Sequence, residues 1–449
     1  MPNPPGVLPV IPSPSSPSTA AAAVNDAIPS TPHPCSLERL NYDILEHIYE
    51  YLRPKRGLCS LSLTCKWVRE SCKPVYFRRS ITRADKITRE QFVPSQLWVH
   101  VHTLTFCGRW NYPAPSPSRY HPILLAEVFS QMPNLSHIKI DTTYGSGVSW
   151  RALDEILTFP RLRAFEIDDT FQRSCDGTII YELHNKSASP SAPLACYRQV
   201  LDDYRYPPRD LPDDVVALER VASQEQVQRS LESLVIPSEV APLATLRNAT
   251  WPRLKVVALR GTISTQQPLI HVFERMPLLE ELCLEISRPA VAGRTLILCP
   301  PDWSGPFPWP RLKRLVVSYP DPDDPLFAHI PSIGTLLHLD LRCWPRHYVH
   351  RSLDDRVYMA SLDWRSPILN SSELLRLLSR CPTSSLLELA IEYSEGEDDL
   401  ELLRHIPAFF PKLTRLTIYR YRRPGVDSVP LVSPLSDTSP SMLLIELVV

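Results

Sequence analysis

MPLLEELCLEIS, residues 276–287, is the stretch whose reading decides the fold. Within it Leu279, Leu282 and Leu284 obey the spacing apolar-x-x-apolar-x-apolar, and that spacing returns along most of the chain. Upstream it is met at Val101-Leu104-Phe106, Leu135-Ile138-Ile140, Leu162-Phe165-Ile167, Leu231-Leu234-Ile236 and Leu254-Val257-Leu259. Downstream it is met at Leu312-Leu315-Val317, Leu336-Leu339-Leu341, Leu386-Leu389-Ile391, Leu413-Leu416-Ile418 and Leu444-Leu447-Val449. Six units share a lead-in of one apolar residue, one proline and one further residue: Met132-Pro133, Phe159-Pro160, Trp251-Pro252, Met276-Pro277, Trp309-Pro310 and Phe410-Pro411. The last two apolar positions alternate as in a strand, which turns both into a core and the residues between them outward. The proline is expected to end the preceding helix and to set the chain extended. Helical patterns lie between units at 121–131, 150–159, 371–380 and 398–410, and residues 215–236 read as a helix leading into a strand.

Most intervals between units are 23 to 34 residues, the range of leucine-rich repeats. One parallel strand plus one helix per unit then predicts a curved α/β solenoid over 96–449. The lines WPRLK, MPLLEELCL and FPWPRLKRLVVSYPDPDD resemble the irregular leucine-rich repeats found with F-boxes in large fungal families. Two intervals are longer. The 69 residues from Leu162 to Leu231 leave room for degenerate repeats and a Ser- and Pro-rich loop at 186–194, and the 50 from Leu336 to Leu386 for one more unit near 357–362. The chain stops inside its last apolar unit at Val449, so the final edge reads as bare or truncated.

Ahead of the repeats, SLERLNYDILEHIYEYLRPKRGLCSLSLTCKWVRESCKPVYFRRSI spans residues 36–81. Leu40, Ile44, Ile48 and Leu52, widened by Leu45 and Tyr49, predict one apolar helix face. Ser36 is its expected cap, and Pro54 with Gly57 its stop. Leu58, Leu61, Cys65 and Val68 suggest a second helical segment, and Pro74 opens a third with Val75, Tyr76, Phe77 and Ile81. A unit this small that still shows surface Leu and Ile calls for a partner. The order Leu40-x3-Ile44-Leu45-x2-Ile48-x2-Tyr51-Leu52, Leu58-x2-Leu61-x3-Cys65-Lys66-x2-Arg69, Pro74-x2-Phe77 resembles an F-box. That resemblance implies docking on the Skp-type adaptor of a cullin–RING ubiquitin ligase, with Leu40, Asn41, Ile44, Leu45, Ile48, Leu52, Leu61, Cys65 and Phe77 packing the unit or meeting the adaptor. The family's usual opening Leu-Pro is Leu40-Asn41 here. The expected organisation is α+β overall: a leader at 1–34 with ten prolines, disordered by composition, a three-helix F-box at 35–82, a linker at 83–95, then the repeats.

Charge is balanced, 48 basic against 49 acidic residues, so no bulk field favours nucleic acid or an anionic membrane. The 11 cysteines are scattered without a C-x2-C pair, which reads as reduced thiols in a cytoplasmic or nuclear setting rather than a disulfide framework or structural zinc site. No run of 18 apolar residues and no basic-then-apolar leader is present, so neither a membrane span nor a signal peptide is expected, and the sequons at Asn134, Asn185, Asn248 and Asn370 count as chance.

Catalytic and cofactor motifs are missing from the sequence: no phosphate-cradling G-x4-G-K-[ST], no G-x-G-x2-G after a strand, no G-x-S-x-G elbow. His100 and His102 sit two apart, without a third metal ligand nearby. The acidic run Glu395–Asp399 reads as a solvated loop before a helix, and Cys65 as a buried small apolar residue. The informative surface is the row of outward strand residues: Ala164, Glu166, Asp168; Val256, Ala258, Arg260; Glu281, Cys283, Glu285; Arg314, Val316, Ser318; His338, Asp340, Arg342; Glu388, Ala390, Glu392; Arg415, Thr417, Tyr419. Within it Glu281, Glu285, Arg314, His338, Asp340, Arg342, Arg415 and Tyr419 are the candidate client-binding residues, because alternating charges and an aromatic suit a protein surface. The expectation is a non-catalytic substrate receptor without cofactor or metal, bound to the adaptor and cullin core. Two readings stay open beside it: a repeat scaffold without a ligase role, and a hydrolase or transferase using residues near Asp202 to Asp214.

Overall fold

The computed structural model of the protein describes residues 36–53, 56–83, 92–108, 125–141, 148–168, 171–172, 192–200, 212–262, 267–287, 297–303, 305–343, 368–421 and 442–448. The leader, most of the loop expected at 186–194, the stretch around Asp202 and the unit expected near 357–362 lie outside them.

The first elements are helical. A 3-10 turn, Ser36–Arg39, precedes α1 (Tyr42–Leu52), whose N-cap is Asn41 rather than Ser36; the Asn41 side chain accepts the Asp43 amide at 3.4 Å. The second helical pattern is broken in two, α2 (Gly57–Ser62) and α3 (Lys66–Tyr76), so Gly57 opens a helix instead of stopping one. Cys65 is the N-cap of α3, its Sγ accepting the Val68 amide at 3.5 Å, and Pro74 falls in the last turn of α3 rather than starting a segment. Leu45, Tyr49, Leu58, Cys72 and Val75 form a small core of their own, with Leu37, Leu40, Ile48, Leu52, Leu61 and Trp67 packed around it.

Thirteen described strands then form one sheet in strict chain order. They are β1 (Arg79–Arg83), β2 (Thr103–Cys107), β3 (His137–Asp141), β4 (Ala164–Ile167), β5 (Cys196–Gln199), β6 (Ser233–Pro237) and β7 (Val256–Thr262), followed by β8 (Glu281–Ser287), β9 (Arg314–Val317), β10 (His338–Leu341), β11 (Glu388–Ser394), β12 (Arg415–Tyr421) and β13 (Met442–Val448). The first twelve are parallel and the last is antiparallel to β12. Parallel neighbours need crossovers, and helices supply many of them: α4 (Leu125–Ser130), α5 (Trp150–Leu157), α6 (Pro212–Ala222), α7 (Glu225–Ser230), α8 (Leu243–Asn248), α9 (Ile270–Phe273), α10 (Leu326–His329), α11 (Ser371–Arg380) and α12 (Asp399–Phe409). A separate two-stranded pair joins Val148–Ser149 to Phe171–Gln172.

Register carries the repeat into three dimensions. Leu104, Ile138, Phe165, Tyr197, Leu234, Val257, Leu282, Leu315, Leu339, Leu389 and Leu416 stand opposite one another across successive strands and are buried. Each such side chain contributes about 1.5–3 kcal/mol by leaving water. The proline lead-ins behave differently from the extended approach expected of them. Leu254 N–H donates back to the Trp251 carbonyl at 3.4 Å, Leu279 to Met276 at 3.1 Å, Leu312 to Trp309 at 3.1 Å and Leu413 to Phe410 at 3.1 Å. Each lead-in is therefore a β-turn with proline at its second position, where the ring's fixed φ is already correct. The residue before the proline is buried in all six, so the turn drives a large side chain into the core beneath each strand. The indoles of Trp251 and Trp309 also donate to the carbonyls of Leu246 (3.1 Å) and Phe273 (2.9 Å).

Two strands escaped the apolar pattern, and both put polar side chains where it wants apolar ones. In β1 the inward residues are Ser80 and Thr82, opposite Leu104 and Phe106. In β5, Gln199 follows Tyr197 inward, opposite Ile167, and donates to buried Asp214 at 2.6 Å. The boundary placed between 82 and 83 thus cuts through β1, and the expected linker holds Phe92, which belongs to the main core. The first apolar unit starts its strand at Thr103, with His100 closing a 3-10 turn, Ser95–His100. The unit at Leu444 and Leu447 is a strand, but reversed. No helix among the described residues is long and apolar enough to cross a membrane.

Candidate functional site

Two surfaces collect the candidate residues. On α1 two stripes run side by side, offset by one residue. Leu45, Tyr49 and Leu52 face the helical core, while Ile44, Ile48 and Tyr51 climb the adjoining side at the i, i+4, i+7 spacing of one helix face. Ile44 is 51% exposed and Tyr51 68%, whereas Leu45 and Tyr49 are buried. Leu63, just after α2, is 70% exposed and Tyr42 47%. Among the residues proposed from sequence to meet an adaptor, Ile44 and Asn41 are exposed and Leu45 is core. Leu40, Ile48, Leu52, Leu61, Cys65 and Phe77 are half-buried. Leu63 was not anticipated, because an unbroken second helix gives it no turn on which to stand clear.

The second surface is the sheet face turned away from the core. Two registered rows cross it. One runs Glu281, Arg314, His338, Glu388, Arg415, and the next Cys283, Val316, Asp340, Ala390, Thr417. Further along the strands Glu285 is registered with Arg260 and Tyr419 with Glu392. Three residues of this face are buried on it: Val316, Ser318 and Glu392. Glu392 is a structural acceptor, taking the Cys343 amide at 2.9 Å and the Tyr421 hydroxyl at 2.7 Å.

Many of the remaining charges are neutralised within the face. Arg260 Nε donates to Glu285 at 2.7 Å, and Lys139 Nζ to Asp168 at 2.7 Å. Glu388 takes Arg415 Nη1 on one oxygen at 2.8 Å, and His338 Nδ1 lies 3.1 Å from the other. Asp340 accepts Arg342 through Nε (2.8 and 3.0 Å), Nη2 and the backbone amide (3.0 Å), and these bonds hold the guanidinium more firmly protonated than usual. Arg342 also lies 6.0 Å from the centroid of the Tyr419 ring, within cation–π range. A hollow of about 250 Å³ opens here, lined by Arg314, His338, Asp340, Arg342, Arg415 and Thr417 among others.

The acidic run before α12 is clamped rather than loose: Arg420 donates to Asp399 at 2.6 Å and to Glu395 at 2.7 Å. Among the described residues no group of three or more His, Cys, Asp or Glu is placed to hold a metal. The nine described cysteines form no disulfide. Burial pushes the Cys283 thiol up to about 11 and those of Cys299 and Cys381 to about 12, so they stay protonated at neutral pH.

Compared with known proteins, the chain matches no protein-family model and no curated protein.

Proposed function

We propose that the chain is a non-catalytic substrate-recognition subunit of a Skp–cullin–F-box ubiquitin ligase. In this reading the three N-terminal helices are an F-box, the strand array is an irregular leucine-rich-repeat solenoid, and its open face holds a client protein. The observation that carries the reading is the double stripe of α1: a helix whose inner stripe already fills its own small core still exposes Ile44 and Tyr51, and Leu63 after α2 is exposed as well. A small unit gains nothing by leaving such side chains in water unless a partner covers them. The in-register order of twelve parallel strands supports the repeat half of the proposal. The chain's contribution is then tethering: the adaptor takes one end, the client the other, and the client's lysines meet a catalytic subunit at raised effective concentration. A cytoplasmic or nuclear location goes with that role.

The test is co-purification with a Skp-type adaptor. Ile44→Asp with Leu63→Asp is a cleaner variant than one at Ile48, which is part of the helical packing. The expected result is a stable wild-type complex that the double variant loses with its melting curve unchanged. A folded wild-type chain that leaves the adaptor behind would overturn the ligase role and leave a protein-binding scaffold.

A further inference from the structure

The hollow between β9 and β12 has an imbalance that fixes the chemistry of its occupant. Its acceptors are largely engaged: both Asp340 oxygens are taken by Arg342, and Glu388 gives one oxygen to Arg415 while His338 Nδ1 lies 3.1 Å from the other. Its donors are not. Arg314 forms no ion pair among the described residues and has the Cys283 thiol as its near contact. Arg415 commits one amino group to Glu388, and Thr417 adds a hydroxyl from the next row. Counting Arg314, Arg342 and Arg415 against Asp340 and Glu388, the lining carries one positive charge in excess, His338 left out of the count. Arginines already oriented by carboxylates lose little freedom when they bind a second anion, and planar guanidinium forks suit oxyanions. Between Asp340 and Thr417 in the second row the lining falls to the single methyl of Ala390, which leaves room for a side chain reaching down from an extended segment.

We infer that this hollow receives an oxyanion, carboxylate or phosphate, carried on a segment of the client protein. The inference rests on the sheet face being the client surface and names what that surface recognises. Arg314 is the principal contact, with Arg415 and Thr417 at the sides and the Arg342–Asp340 pair as a fixed wall.

Fluorescein-labelled nonapeptide pools, degenerate at the eight flanking positions, test this with serine, glutamate or phosphoserine at the centre. Polarisation is read against the full chain, and inorganic phosphate serves as competitor. Glutamate or phosphoserine pools should bind at least about tenfold more tightly than the serine pool, as charge-assisted bonds require. Arg314→Gln should remove most of that preference, and Arg229→Gln, on exposed α7, should leave it intact. Equal binding of all three pools, no binding of any, or a preference that survives Arg314→Gln would overturn the inference. Competition by millimolar phosphate without any peptide preference would also overturn it, pointing to a free-anion site. Adaptor co-purification on the same preparations separates this failure from failure of the ligase reading, since Arg314→Gln leaves α1 untouched.

Discussion

The guanidinium of Arg78 donates from Nη1 to Glu50 at 2.8 Å, and its second amino group reaches Glu46 one helical turn earlier. The carbonyl of the same residue accepts the His102 and Thr103 amides, both at 2.9 Å, where β1 and β2 begin to pair. One residue therefore binds α1 with its side chain and starts the sheet with its backbone. Arg78→Ala should cost about 1 kcal/mol, the upper range for partly exposed ion pairs. More tellingly, it should speed amide exchange in α1 while leaving β6 to β12 unchanged. Arg78→Lys should fail to restore protection, because an ammonium cannot span two carboxylates as a fork does.

Gln199 and Asp214 test the cost of a polar pair inside the core. Gln199→Leu removes the amide that donates to the buried carboxylate. It should cost about 1–3 kcal/mol in urea unfolding, since a buried acceptor loses its donor. The double change Gln199→Leu, Asp214→Leu should cost less than Gln199→Leu alone. A double variant at least as damaged as the single would contradict that account.

The proline turns predict which aromatic losses hurt most. Trp309→Ala empties a buried site and removes a bond to Phe273, so about 3–5 kcal/mol should be lost. Pro310→Ala should cost about 0.4–1 kcal/mol, through the freedom it returns to the unfolded chain. Chemical denaturation midpoints measure both.

Stability should fall in mild acid. Burial holds His137 below its usual pKa despite Glu166 3.1 Å away, and burial followed by the charge of Arg78 lowers His102. Each charges more readily unfolded than folded, so their contribution is complete above the ordinary value of about 6.5 and is lost as pH falls from there toward the lowered folded value. Melting temperature between pH 7.5 and 5 should decline, with a shallower slope for His137→Gln.

On α1, Ile44→Asp should leave the unfolding free energy within about 0.5 kcal/mol of wild type, as surface changes do. Leu45→Asp, one residue on, places a carboxylate in the helical core and should unfold that unit, as read by loss of helical circular dichroism.

Much of the sheet was legible because its code is short: two inward side chains per strand and one buried residue before a proline. The code failed where chemistry replaced grease. Ser80 and Thr82 fill inward sites with polar groups, and Gln199 does so by bonding Asp214, a partner 15 positions away that spacing cannot reveal. Helix ends failed for a local reason, since Asn41 and Cys65 each cap a helix that the apolar stripes ran straight through. On the open face alternation placed Glu281, Arg314 and His338 correctly in one row, yet it could not show that Glu392 is buried and committed to Cys343 and Tyr421. Nor could it show which charges are already spoken for.

The reversal of the final strand bears on assembly. Strands laid side by side in one direction present unlike edges at their two ends, the geometry from which head-to-tail filaments grow. Met442–Val448 runs the other way. A second copy added beyond it with its helices on the same side would meet an antiparallel neighbour, unlike any junction between the first twelve strands. The turn-around thus ends the run of parallel strands at β12 by direction alone.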